Sequence, residues 1–159
     1  MRGVQPGAPV VAQNKSLSRS KRERLRVYLV EDSPIIVNLL RDLLSGEAEL
    51  EIVGQAAEAR VAVAEMADRM PDVAIVDIAL AHGTGFDVLR GLALHGDVRP
   101  VVAMLSNYSS QRYRDEARKL GADYFFDKNG EIIKLVRTIT NMATSGGHGA
   151  AGSRPHPGH

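Results

Sequence analysis

Val73-Ala74-Ile75-Val76-Asp77 is a run of four apolar residues closed by a carboxylate. A carboxylate at the end of a buried strand is costly unless it is solvated, paired or metal-bound. Three other short runs are also followed by charged or polar residues. Val27-Tyr28-Leu29-Val30 is followed by Glu31-Asp32, Val101-Val102-Ala103-Met104-Leu105 by Ser106, and Tyr124-Phe125-Phe126-Asp127 by Lys128. If these runs are parallel strands, their carboxyl ends bring three acids, a hydroxyl and a lysine into one pocket.

The segments between the runs decide whether they are parallel. After Asp32, Ser33 is a good N-cap and Pro34 suits a first helical position. Ile35, Ile36, Leu39, Leu40, Leu43 and Leu44 then recur at helical spacing, and Gly46 follows as a stop. The same reading predicts a strand at 50–53, an alanine-rich helix over 58–70 ended by Pro71, and a strand at 73–77. It continues with a helix over 85–95, a strand at 101–105, and a helix over 109–120 capped by Gly121. A strand at 123–126 and a helix over 131–143, with Ile132, Leu135, Val136 and Ile139 inward, complete the pattern. Strand and helix alternate five times, which predicts a parallel sheet with helices on both faces. Ligands bind such sheets outside the carboxyl ends of the strands, at the topological switch point. The acids, hydroxyl and lysine fall there, a set suited to phosphoryl transfer.

Composition bounds the rest. The chain has 159 residues, 44% hydrophobic and 25% charged, with neither cysteine nor tryptophan. The periodic region of about 120 residues suffices for one core of ordinary size. Without cysteine there are no disulfides and no thiolate metal sites, which fits a reducing compartment. No apolar stretch approaches the ~20 residues that span a bilayer. Ala8-Pro9-Val10-Val11-Ala12 is too short and too proline-broken for a signal-peptide core. The expected location is cytoplasmic, with no membrane partner.

Both ends differ from the middle. Residues 1–24 hold six cations against Glu23, a charge of +5. The tail 145–159 is Gly, Ala, Ser, His and Pro with Arg154 its one full charge. The whole chain carries +1, which leaves −5 for residues 25–144. Neither end offers a periodic apolar face, so 1–24 reads as a disordered basic leader and 145–159 as a disordered tail. Lys21-Arg22-Glu23-Arg24 suits nucleic acid or an acidic partner, but a solvated leader is the simpler reading. Aromatic interleaving for base stacking and a helix-turn-helix are both lacking, which disfavours direct DNA binding.

The chain resembles the receiver domain of two-component response regulators from about Arg26 to Ala143. The acid pair Glu31-Asp32, then Asp77, Gly85 eight residues later, Ser106, and Gly121 through Lys128 stand in the family's order. The resemblance implies a flavodoxin-like α/β fold, a doubly wound five-stranded parallel sheet in the order 2-1-3-4-5, over residues 25–144. It implies a phosphoacceptor, not an enzyme: Asp77 as nucleophile, Ser106 as hydroxyl donor and Lys128 as phosphoryl-binding cation. It implies Mg²⁺ held by Glu31, Asp32, Asp77 and the carbonyl of Ala79, and a switching role for Phe125. The phosphoryl donor would be a sensor histidine kinase or a histidine phosphotransfer protein. A downstream protein would read the face formed by 106–142, with Tyr108, Arg112, Tyr113, Lys119 and Arg137 facing it. With nothing after Ala143 that could fold into an output domain, the expectation is a stand-alone regulator.

Bland readings compete at each position. A lone Asp at a strand end is commonly a turn or cap residue, Glu31-Asp32 would suit a helix N-terminus, and Ser106 would cap the helix after it. Ala81 and Asn129 stand where many receivers have proline. Alternatives from other classes are a phosphate-independent pseudo-receiver and a nucleic-acid accessory protein acting through the basic leader. A dinucleotide-binding protein is disfavoured, because no Gly-x-Gly-x-x-Gly follows the first strand.

Overall fold

The computed structural model describes residues 24–96 and 98–145. The leader and tail expected to be disordered fall outside them, apart from Arg24 and Ser145. In chain order the elements are β1 (Leu25–Val30), α1 (Pro34–Ser45), β2 (Leu50–Ala56), α2 (Ala59–Arg69), β3 (Val73–Val76), α3 (Gly85–Ala93), β4 (Val101–Ser106), α4 (Gln111–Lys119), β5 (Tyr124–Asp127) and α5 (Ile132–Thr144). All strand pairs are parallel, and the sheet order is β2-β1-β3-β4-β5. This is the doubly wound, flavodoxin-like arrangement. Among the described residues no helix is long and apolar enough to cross a membrane.

Strand alternation sorts the core into two layers. Leu25, Val27 and Leu29 of β1, Ile75 of β3, Leu105 of β4 and Phe126 of β5 face α1 and α5, where Leu40, Leu44, Leu135 and Ile139 are fully enclosed. Tyr28, Val30, Ala74, Val76, Val102 and Met104 face the other way, against Ala62 and Met66 of α2, Val88 and Leu89 of α3, and Ala117 of α4. Burying each large aliphatic side chain stabilises by roughly 1.5–3 kcal/mol. The central strands are apolar on both sides because both sides are covered.

Local signals set most boundaries. Ser33 caps α1 by accepting from Ile36 N, and Pro34 occupies the first helical position. Gly121, at φ +107, follows α4 in the left-handed region that glycine enters without strain. Two expectations needed adjustment. Gly46 ends α1 at φ −73, a right-handed conformation open to any residue, so glycine is not what stops the helix. Strand β2 runs on to Ala56 rather than ending at 53, because β1 continues to Val30 and pairs with it. Pro71 acts as read: it disfavours a helical residue before it, and Met70 leaves α2 at φ 50.

Candidate functional site

Strands β1 and β3 lie side by side, yet β1 feeds a helix on one face of the sheet and β3 a helix on the other. Their carboxyl ends therefore open into a crevice, and Glu31, Asp32 and Asp77 stand at its mouth. One carboxylate oxygen from each of the three lies within 4.8 Å of the others. Glu31 and Asp77 are buried and Asp32 is exposed.

Lys128 enters this acidic group from the end of β5. Its Nζ donates to Asp77 Oδ2 at 2.7 Å and lies 2.8 Å from Glu31 Oε1. The side chains of Lys128, Glu31 and Asp77 are only 9%, 3% and 5% exposed, so this pairing is hardly screened by solvent. Glu31 uses its second oxygen to accept from Ser33 N at 3.1 Å. Asp77 Oδ1 accepts no hydrogen bond among the described residues. Burial is the main cause holding the Glu31 carboxyl above its ordinary range, and the charge of Asp77 adds to it against the Lys128 hydrogen bond. Burial is also the largest single influence on Lys128 and opposes its charge. The hydrogen bonds and charges of Asp77 and Glu31 together outweigh it and hold the ammonium above its ordinary value.

Neighbouring loops fix the pocket's walls. Asp77 N donates to Val30 O, tying the end of β3 to β1. Helix α3 begins against Asp77 itself. A Cβ on Gly85 would overlap the Asp77 carbonyl oxygen and sit 3.0 Å from Ile78 Cα. Ala79 lies exposed in the intervening loop, bridged to Thr84, whose hydroxyl caps α3 in a reciprocal box with Asp87. Ser106 is buried at the end of β4, where its Oγ accepts from Tyr108 N at 3.1 Å and its carbonyl accepts from Lys128 N. It makes no hydrogen bond to Asp77 in this state.

The residues proposed from sequence thus come to one end of the sheet, but unequally. Glu31, Asp77 and Lys128 form one bonded group with Asp32 beside it, while Ser106 is tied to the Lys128 backbone and Ala79 lies in the loop after Asp77. On the 106–142 face, Tyr108, Arg112, Lys119 and Arg137 are exposed. Tyr113 differs from expectation. It is half-buried, stacked on Phe86 at 6.2 Å and tilted against Tyr108 at 5.4 Å. Arg114 and Glu131 had no distinguishing sequence signal, being one arginine among many on the helices and one glutamate at a helix start. The folded chain joins them to Ser109 and Phe125.

Oxygen-only donors, one of them exposed, suit a hard divalent cation such as Mg²⁺, which keeps several waters. Residues 27–140 match the response regulator receiver domain family. The DNA-binding transcriptional activator DevR/DosR of Mycobacterium tuberculosis is 30% identical over 119 residues, 74% of this chain and 54% of that protein. The uncharacterized transcriptional regulatory protein YvfU of Bacillus subtilis is 30% identical over 115 residues, 72% of this chain and 57% of its own. The chain thus spans about half the length of the curated relatives it matches. Among solved structures, the response regulator domain of Thermotoga maritima CheB superposes with a TM-score of 0.65 at 24% identity, covering 83% of this chain and 99% of that one. A CheY-like receiver domain protein from Methanospirillum hungatei gives 0.66 at 21%, covering 77% and 96%. At those identities the structures speak to the fold, and the family match carries the assignment. The chain belongs to the response regulator receiver domain family, the signal-receiving module of two-component systems.

Proposed function

We propose that this chain accepts a phosphoryl group on Asp77 from a phosphohistidine of a sensor kinase or phosphotransfer protein. One observation carries the reading: a largely enclosed lysine bridges buried Asp77 and Glu31 beside a third carboxylate, at the mouth of the switch-point crevice. Asp77 Oδ1, which accepts no hydrogen bond among the described residues, forms the new bond to phosphorus as the donor's phosphorus–nitrogen bond breaks. The electron pair of that bond returns to the imidazole, and an aspartyl phosphate results. Lys128, already on Oδ2, follows the phosphoryl oxygens and spreads their charge. Ser106 turns its hydroxyl from the Tyr108 amide side of the loop toward a phosphoryl oxygen. Mg²⁺ would be held by Asp32, Asp77 and the Ala79 carbonyl with Glu31 at longer reach, and when bound it neutralises the anionic donor. Glu31, committed to Ser33 and Lys128, mainly orients the lysine. The chain is a phosphoacceptor rather than a turnover enzyme.

Asp77→Asn keeps the side chain's shape and removes the nucleophile. It should fold, and label from acetyl phosphate and Mg²⁺ should fall to background. Undiminished labelling would place the phosphoryl group elsewhere. Wild-type protein that takes up no label under any condition would favour a pseudo-receiver using the same face without phosphate.

Asp32 provides a separate check. Asp32→Ala removes the exposed carboxylate, so Mg²⁺ binding, followed by tyrosine fluorescence or calorimetry, and labelling should be lost together. The melting temperature should hold or rise as like charges are thinned. Labelling that persists in excess chelator would sink the metal-assisted route.

A second reading, direct contact with DNA, is favoured by the transcription-regulator names of the two relatives and by the +5 leader. Salt-sensitive DNA binding by the full chain, lost on deleting residues 1–24, would support it. No binding at low salt would leave output to a protein partner on the 106–142 face.

A further inference from the structure

Arg114, on α4, touches three different parts of the 106–142 face. Its Nε donates to Ser109 O at 2.9 Å, in the loop that follows Ser106. Its Nη1 donates to Phe125 O at 3.4 Å, on the edge strand β5, and its guanidinium carbon lies 4.8 Å above the Phe125 ring centre. Its Nη2 lies 3.8 Å from Glu131 Oε1, the oxygen that accepts from Asp127 N. Asp127 closes the circuit, accepting from Ser109 Oγ at 2.7 Å and Asn129 N at 2.8 Å. One half-buried guanidinium therefore ties the loop after Ser106 to β5 and to the start of α5.

On the phosphoacceptor reading, phosphorylation moves two of those attachments. Drawing the Ser106 loop toward a phosphoryl oxygen pulls on Ser109 O. Turning the Phe125 ring inward takes it from under the guanidinium. Neither shift proceeds while Arg114 keeps all its partners, because the planar guanidinium satisfies them from one fixed geometry. We infer that Arg114 is a latch, a positioning residue that holds the Ser106 loop and the Phe125 ring in the unphosphorylated arrangement and sets how readily this receiver switches. The inference rests on the phosphoacceptor reading for its consequence, but the latch itself is measurable without any phosphate. Arg114 touches no reacting atom. It acts through the equilibrium between the two arrangements, which a ligand or modification shifts only by its differential free energy for each.

The test uses the full chain with Arg114→Ala and Arg114→Lys. Lysine keeps the charge near Glu131 but cannot serve Ser109 O and Phe125 O together. In unphosphorylated protein, amide hydrogen exchange at residues 107–111 should quicken about tenfold in Arg114→Ala, which corresponds to about 1.4 kcal/mol, and by less in Arg114→Lys. The Phe125 ring resonances should move along the line joining the wild type's unphosphorylated and acetyl-phosphate-treated positions. Labelling of Asp77 by acetyl phosphate should speed by a similar factor. A merely structural role would lower the melting temperature and leave both the Phe125 shifts and the labelling rate unmoved, and that result overturns the latch. If the alanine variant does not fold, Arg114→Lys decides: wild-type exchange at 107–111 and wild-type Phe125 shifts overturn the proposal. If wild type takes no label while exchange and shifts respond as stated, the phosphoacceptor reading fails and the latch stands.

Discussion

Lys128→Ala is expected to weaken the fold by about 3 kcal/mol and to slow phosphoryl transfer by roughly 10²–10³-fold. The stability cost arises because the lysine is the cation held between two buried carboxylates, Asp77 and Glu31. Its removal leaves like charges facing each other with little solvent to screen them. The cost sits at the lower end of the range for a broken buried pair, since the mouth of the crevice still admits protons or a cation. The pH dependence has a definite sign. Lys128 is held above its ordinary value, so its contribution is present at neutral pH and is lost as pH rises through the raised value. Glu31 is also held high, chiefly by burial, so ionising it opposes folding as pH rises through its raised value. Without Lys128 that opposition grows, and the variant's deficit should shrink on acidification. Urea denaturation at several pH values, paired with initial labelling rates, checks both parts. A variant with wild-type stability and rate would show that the bridge is incidental.

Gly85→Ala is expected to produce the second large effect, about 2–3 kcal/mol of destabilisation with a marked loss of labelling. The added methyl meets backbone rather than a side chain that can swing away: the Asp77 carbonyl and Ile78 Cα. Relief requires α3 to retreat or the end of β3 to shift, and overpacking of this kind costs roughly 1–3 kcal/mol. A displacement of the nucleophile near 1 Å is enough to reduce transfer about 10²-fold. Gly46→Ala is the matched control. Its φ of −73 suits alanine and the nearest atom to the new Cβ is 3.7 Å away. That change should be neutral or stabilise by roughly 0.4–1 kcal/mol through the unfolded chain. Comparable melting curves for the two variants would remove the close approach at Gly85 as a constraint on the site.

The order of elements and a parallel sheet with helices on both faces were legible in the chain itself. Short apolar runs separated by capped helices leave few topologies open, and in a parallel sheet every carboxyl end points the same way. Glu31, Asp32, Asp77, Ser106 and Lys128 therefore had to collect at one edge, whatever their roles. Where pairing rather than local preference set a boundary, as at Gly54–Ala56 of β2, the sequence alone stopped short. Tertiary structure alone decided which acids are buried, and that Lys128 reaches across 51 residues to Asp77 while also holding Glu31. It also decided that Tyr113 turns inward and that Arg114 gathers Ser109, Phe125 and Glu131. Those outcomes depend on side chains brought together by the sheet order, and no local periodicity records which arginine or glutamate will find a partner. The order of strands and helices is written in neighbours along the chain, whereas a charge's environment is written in its neighbours in space.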